Sequence, residues 1–101
     1  MNNNVWIPDE HKPRSHWRFT CDVGTYQLGT RKNRLHGKLA WALWKVEIIK
    51  YRSNEGINSE ENIYHKIADG IRFEGGVKAL QEKVYREYIE QQLKLKYLEG
   101  L

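Results

Sequence analysis

A chain of 101 residues with 40% hydrophobic content and 12 aromatic side chains, four of them Trp, supports one core and one domain. That apolar content excludes wholesale disorder, and no run approaches the ~20 apolar residues that a bilayer-crossing helix needs. The net charge of +4 is unevenly spread, with +6 in residues 1–54 and −2 in residues 55–101; such asymmetry suits a first half that faces a polyanion, or more blandly a solvated basic surface.

The N-terminal MNNNVWIPDEHKPR lacks the charged-then-apolar order of a secretory signal, and the single Cys21 cannot form an internal disulfide. Both point to a cytoplasmic protein in a reducing compartment. Residues 1–15 hold three consecutive Asn and both prolines, Pro8 and Pro13, which predicts an extended arm tacked to the body by Trp6 and Ile7. Residues 16–101 form the domain.

From His16 to Val23 polar and apolar residues alternate. His16, Arg18, Thr20 and Asp22 share one face, and Trp17, Phe19, Cys21 and Val23 the other. Period two with β-forming residues predicts a strand. Gly24 supplies a permissive turn backbone, after which Tyr26 and Leu28 continue the apolar face across a hairpin.

Over residues 34–52, Leu35, Leu39, Ala42, Val46 and Ile49 recur at spacings of four and three, and Trp41, Trp44, Ile48 and Tyr51 make a second stripe. The pattern predicts a helix, with a strand reading open for Lys45–Tyr51. Asn58 and Ser59 ahead of Glu60 and Glu61 resemble a helix N-cap. Ile63, Ile67 and Ile71 then line a short second helix, broken at Gly75-Gly76. Val77–Leu98 is the clearest helix, with one seam of Leu80, Val84, Tyr88 and Leu95 and an adjoining one of Tyr85, Ile89, Leu93 and Tyr97. The expected fold is therefore α+β: an N-terminal β-hairpin or small antiparallel sheet packed against about three α-helices.

Chemistry is sparse. His11, His16, Cys21 and His36 are the soft ligands, but their spacings match no zinc-finger pattern, and Cys21 falls on the apolar face as a buried free thiol would. No metal or cofactor is expected. Gly24 and Gly29, with Thr25 and Thr30, fit neither a P-loop nor a dinucleotide fingerprint. Adjacent carboxylates at Asp9-Glu10 and Glu60-Glu61 point apart, and no local signature gives Cys21 a base. No catalytic residues follow, and the chain does not read as an enzyme.

The strongest signal is the run Arg31, Lys32, Arg34 and Lys38, four cations in eight residues. At a helix start these charges oppose the dipole, a conflict that an external anion relieves. On this reading they neutralise phosphates, while His16, Arg18, Thr20 and Gln27 on the outer hairpin face reach base edges or sugars, Arg18 by the fork that matches guanine.

The order Trp17-Arg18-Phe19, Gly24, Tyr26, Leu28-Gly29-Thr30 and a Leu39–Trp44 helix core resembles, over about residues 15–50, the three-stranded-sheet DNA-binding units of the AP2 type and the arm domains of phage integrases. The resemblance implies a sheet laid in the DNA major groove, with Arg18 and Gln27 touching bases and phosphates. It lacks a clear first strand, and the linker Arg31–Arg34 is more basic than the family's helix entry.

The leading expectation is a small non-enzymatic DNA-binding protein of regulatory or accessory kind, with double-stranded DNA as partner. The alternative is a compact protein-interaction module that inhibits or adapts a larger partner, as small phage-encoded proteins do. Its support is the surplus of aromatic residues, Trp41, Trp44, Tyr51, Tyr85, Tyr88 and Tyr97, which suit interface anchors. The second seam of the last helix, Tyr85, Ile89, Leu93 and Tyr97, is expected to bind a protein partner or a second copy, as a homodimer.

Overall fold

The computed structural model describes residues 5–99 and shows a five-stranded antiparallel sheet followed by one helix. The strands are β1 (Ile7–Pro8), β2 (His16–Cys21), β3 (Gly24–Lys32), β4 (Leu39–Arg52) and β5 (Asn58–Phe73), and their order in the sheet is their order in the chain. The helix comprises α1 (Gly76–Val84), a π turn (Tyr85–Ile89) and α2 (Glu90–Glu99) without interruption. The class is α+β, but with one 24-residue helix and not about three.

Two of the expected helices are strands. Residues 39–52 form strand β4, so the Leu39–Trp44 helix core of the AP2-type resemblance is also replaced by strand. Ala40 and Ala42 are strong helix formers, but in β4 they face the same side of the sheet as Trp44, alternating with Leu39, Trp41 and Leu43 on the other. Ile63, Ile67 and Ile71 lie in β5. A spacing of four keeps residues on one side of a helix and on one side of a strand alike, so it could not separate the two. The supposed N-cap at Asn58 and Ser59 opens β5, and the chain turns before it at Ser53–Ile57, where the Ile57 N–H donates to Ser53 Oγ at 3.1 Å. Gly75 and Gly76, at φ of 124° and 83°, do not break a helix; they turn the chain from β5 into α1.

Register fixes the core. Trp17, Leu28, Leu43 and Ala68 form one transverse row on the inner face, and Phe19 and Tyr26 begin the next. Leu80, Val84 and Ile89 of the helix pack onto this face, and these three, with Leu28 and Leu43, are fully buried. Each such side chain contributes roughly 1.5–3 kcal/mol. The N-terminal arm joins the sheet: Ile7 and Pro8 pair with Arg18 and Trp17, and the Trp6 ring lies 5.4 Å from that of Phe19 in the core.

Beyond the Thr25–Val46 pair, the last between β3 and β4, β4 and β5 continue as a two-stranded ribbon. Glu47–Arg52 pair only with Asn58–Ile63, and Ile48, Tyr51 and Ile57 are exposed there.

Candidate nucleic-acid interface

The helix covers one side of the sheet and leaves the other open. On the open side the register sets Arg18, Gln27, Trp44 and Lys66 in one row, His16, Gly29, Ala42 and Asp69 in the row on one flank, and Thr20, Thr25, Val46 and Tyr64 on the other. Arg18 and Gln27 are thus brought together. The Arg18 Nε donates to Gln27 Oε1 at 3.1 Å, and its Nη2 donates to the Tyr64 hydroxyl at 2.8 Å. Arg18 therefore reaches across β3 and β4, and Val46 beside this bridge is only 5% exposed on a side that no helix covers. Part of the Arg18 fork is engaged within the protein.

The basic run closes β3 and forms the turn into β4. The Leu35 N–H donates to Asn33 Oδ1 at 2.8 Å, and Gly37 takes a φ of 71° that favours glycine. Leu35 at the tip is 96% exposed, which removes it from any core. Arg31, Lys32, Arg34 and His36 line a concavity of about 1020 Å³ together with Arg72 and Ile71 of β5, and no carboxylate lines it. Among the described residues Arg31, Lys32, Arg34 and Arg72 make no ion pair. Lys38 stands apart: its Nζ meets Glu74 Oε1 at 2.8 Å, and that hydrogen bond, then the charge, holds the Glu74 carboxyl below its ordinary value. Because Lys38 begins no helix, the expected conflict with a helix dipole does not arise. The cations instead cluster at one end of a sheet.

Next to this concavity lies an apolar slot of about 340 Å³ that shares Arg31, Ala40 and Ile71 with it. Its floor is Gly29, Ala40 and Ala42, and His16 and Trp44 stand on either side of Gly29. A Cβ at Gly29 would come within 2.9 Å of both His16 Nε2 and Trp44 Cζ3, so only glycine lets the two rings approach this closely. Ser15 Oγ lies 2.7 Å from His16 Nδ1. Burial first, and the Lys12 charge second, hold the His16 pKa below its usual value, which favours the neutral ring that stacks. The Lys66–Asp69 ion pair, at 2.7 Å, borders the slot.

Sequence reasoning missed Arg72 and Trp44 as site residues. Both join the site through strand register, and the helical reading of residues 34–52 and 63–71 concealed it. Of the four residues given to a partner, Ile89 is fully buried in this chain's own core, and Tyr85 and Leu93 pack against that core, Tyr85 edge-on to Phe19 at 5.5 Å. Tyr97 alone of the four is mostly exposed, at 66%.

Cys21 packs against the core on the side opposite His16. Among the described residues no three His, Cys, Asp or Glu side chains cluster as a metal site, and no helix is long and apolar enough to cross a membrane. No protein-family model, curated protein or solved structure matches this chain.

Proposed function

We propose that this protein binds nucleic acid, without catalysis, on the open side of its sheet and at the cationic end of that sheet. One observation carries the reading: Arg31, Lys32, Arg34 and Arg72, from two strands and a turn, converge on one concavity that no acidic group lines. Four cations held this close repel one another, and a bound polyanion relieves that cost while releasing its own counterions. Phosphate contacts at this end would set the register, and Arg18 and Gln27 along the sheet would face base edges. Duplex DNA is the proposed partner, its major groove being wide enough to admit a β-ribbon. The Trp44–His16 slot favours a second reading, a single strand whose unpaired base stacks there.

A titration against duplex and single-stranded DNA of one composition, repeated across salt, tests both. The log–log slope of affinity with salt is expected near −3 to −4 for four covered phosphates. The double variant Arg31→Glu/Arg34→Glu should bind no DNA while keeping the far-ultraviolet circular dichroism of the parent. Salt-independent binding, or none at low salt, overturns the proposal. A preference for the single strand that Trp44→Ala abolishes would select the second reading.

A further inference from the structure

We propose that two copies of this chain join along the free edge of β5 into one continuous antiparallel sheet. β1, at one edge of the sheet, is two residues long, but β5, at the other, runs 16 residues with no partner strand on its outer side among the described residues. An edge of this length presents a row of unpaired backbone groups to any strand of matching register. Its first half also belongs to the two-stranded ribbon of residues 47–63, an arrangement of marginal stability in water. A second ribbon laid alongside would make four strands and cover Ile63 at the join.

The occupant follows from symmetry and charge. Antiparallel joining of two identical edges needs a two-fold axis perpendicular to the sheet, which keeps both open sides facing the same way. Directly opposed residues must then share a face, so the axis passes through a residue and not between two. The pairing of β5 with β4 slips at Ile67, where Leu43 faces Ala68 but Trp44 faces Lys66, so the regular edge runs from Asn58 to Lys66.

Within that edge only an axis at Ile63 sets opposite charges against each other. It places Glu60 of each copy against Lys66 of the other on the open side, and on the helix side it sets Glu61 beside the His65 ring, a hydrogen-bond donor. An axis at Glu60 or Glu61 opposes two glutamates, one at His65 opposes two histidines, and one at Asn62 or Tyr64 opposes no two charges. The bulge at Ile67 ends the regular edge directly beyond the last of these pairs. A self-complementary register bounded in this way fits a second copy better than an arbitrary extended peptide.

The test is the pair of surface variants Glu60→Lys and Lys66→Glu. Sedimentation equilibrium of the parent at micromolar concentration should give twice the chain mass of 12.1 kDa. Each single variant sets like charges in opposition at two symmetric places, which should raise the dissociation constant about tenfold or more. Mixing the two variants restores both attractions. The Glu60→Lys chain then offers lysine at both positions of the pair, and the Lys66→Glu chain opposes each with a glutamate. A heterodimer as tight as the parent dimer is therefore expected, and native mass spectrometry would identify it. Amide hydrogen exchange over residues 60–66 of the parent should slow as concentration rises, a readout independent of how the variants fold. A parent that stays monomeric, single variants that dimerise unchanged, a mixture that fails to recover, or protection that appears only with another protein bound would each overturn the proposal.

Discussion

Gly29 holds the floor of the aromatic slot because any side chain there meets His16 and Trp44 at once. Both obstacles are side chains packed on the sheet, so Gly29→Ala should cost roughly 1–3 kcal/mol through displaced rings, seen as a shift in tryptophan emission and a lower denaturation midpoint. On the other side of the sheet Phe19 is buried against Trp6 and Tyr85. Phe19→Ala should destabilise by about 3–5 kcal/mol, whereas Thr20→Ala, exposed on the open side, should stay within about 0.5 kcal/mol of the parent. Equal costs in urea unfolding would refute the facing described above.

His16 gives a pH signature. Its folded pKa lies below the ordinary value near 6.5, so the unfolded chain binds the proton more tightly. The resulting stability is fully present above about 6.5 and is lost as the pH falls through the lower folded value. His16→Gln should flatten that part of the stability–pH curve, as urea midpoints measured on both sides of about pH 6.5 would show. These facings were open to sequence reading because residues 16–29 alternate cleanly, so the hairpin, its buried Phe19 and the neighbouring Arg18 and Gln27 follow from period two alone.

Among the elements, the helix shows what pattern reading saw and what it could not resolve. It carries two apolar seams, and a straight α-helix would commit only one of them to the core. The π turn commits part of each: Leu80 and Val84 come from the first seam, Ile89 and Leu93 from the second, and the step between the pairs is five residues instead of four. One extra residue in a turn rotates the following stretch and brings the second seam inward. Deleting Arg86 should therefore be tolerated, leaving an α-helix in which Leu80, Val84, Ile89 and Leu93 recur every four residues. The cost should stay near 1 kcal/mol or less, since the exposed Arg86–Glu82 pair contributes little. Deleting Gln91, past the π turn, should cost more in the same thermal assay, because it swings Leu93 away from the core. Strand β4 was legible only in the alternative strand reading of Lys45–Tyr51, and β5 not at all, for a related reason. Spacings of three and four, with Leu and Ala in front, describe a helix until a neighbouring strand supplies the register that makes Trp44 and Arg72 members of one surface.

At the scale of the whole molecule, the charge asymmetry was visible in the sequence, but its geometry was not. The basic run lies at one end of the sheet, joined there by Arg72 from the half of the chain whose net charge is negative. Of the aromatic surplus that suggested a partner, Trp41 is buried and Tyr85 and Tyr88 pack against the core, whereas Trp44 lines the open-side slot and Tyr51 and Tyr97 stay exposed.

The simple strand order also bears on how the chain folds. Every sheet neighbour is its neighbour along the chain, so each pairing closes only a short loop, and hairpins of this kind form within about 1–10 μs. The helix must instead find a surface assembled from strands far behind it. That makes helix docking the natural last step after the transition state, with little native contact at Leu80 when the barrier is crossed. Leu80→Ala should therefore speed unfolding by nearly its whole equilibrium cost of about 2–5 kcal/mol and leave the refolding rate almost unchanged, while Leu28→Ala should slow refolding. In stopped-flow chevrons the two variants should then shift opposite arms. The same order of events leaves the apolar face of the sheet bare until the helix docks, which makes the helix a cover against aggregation as well as half of the core.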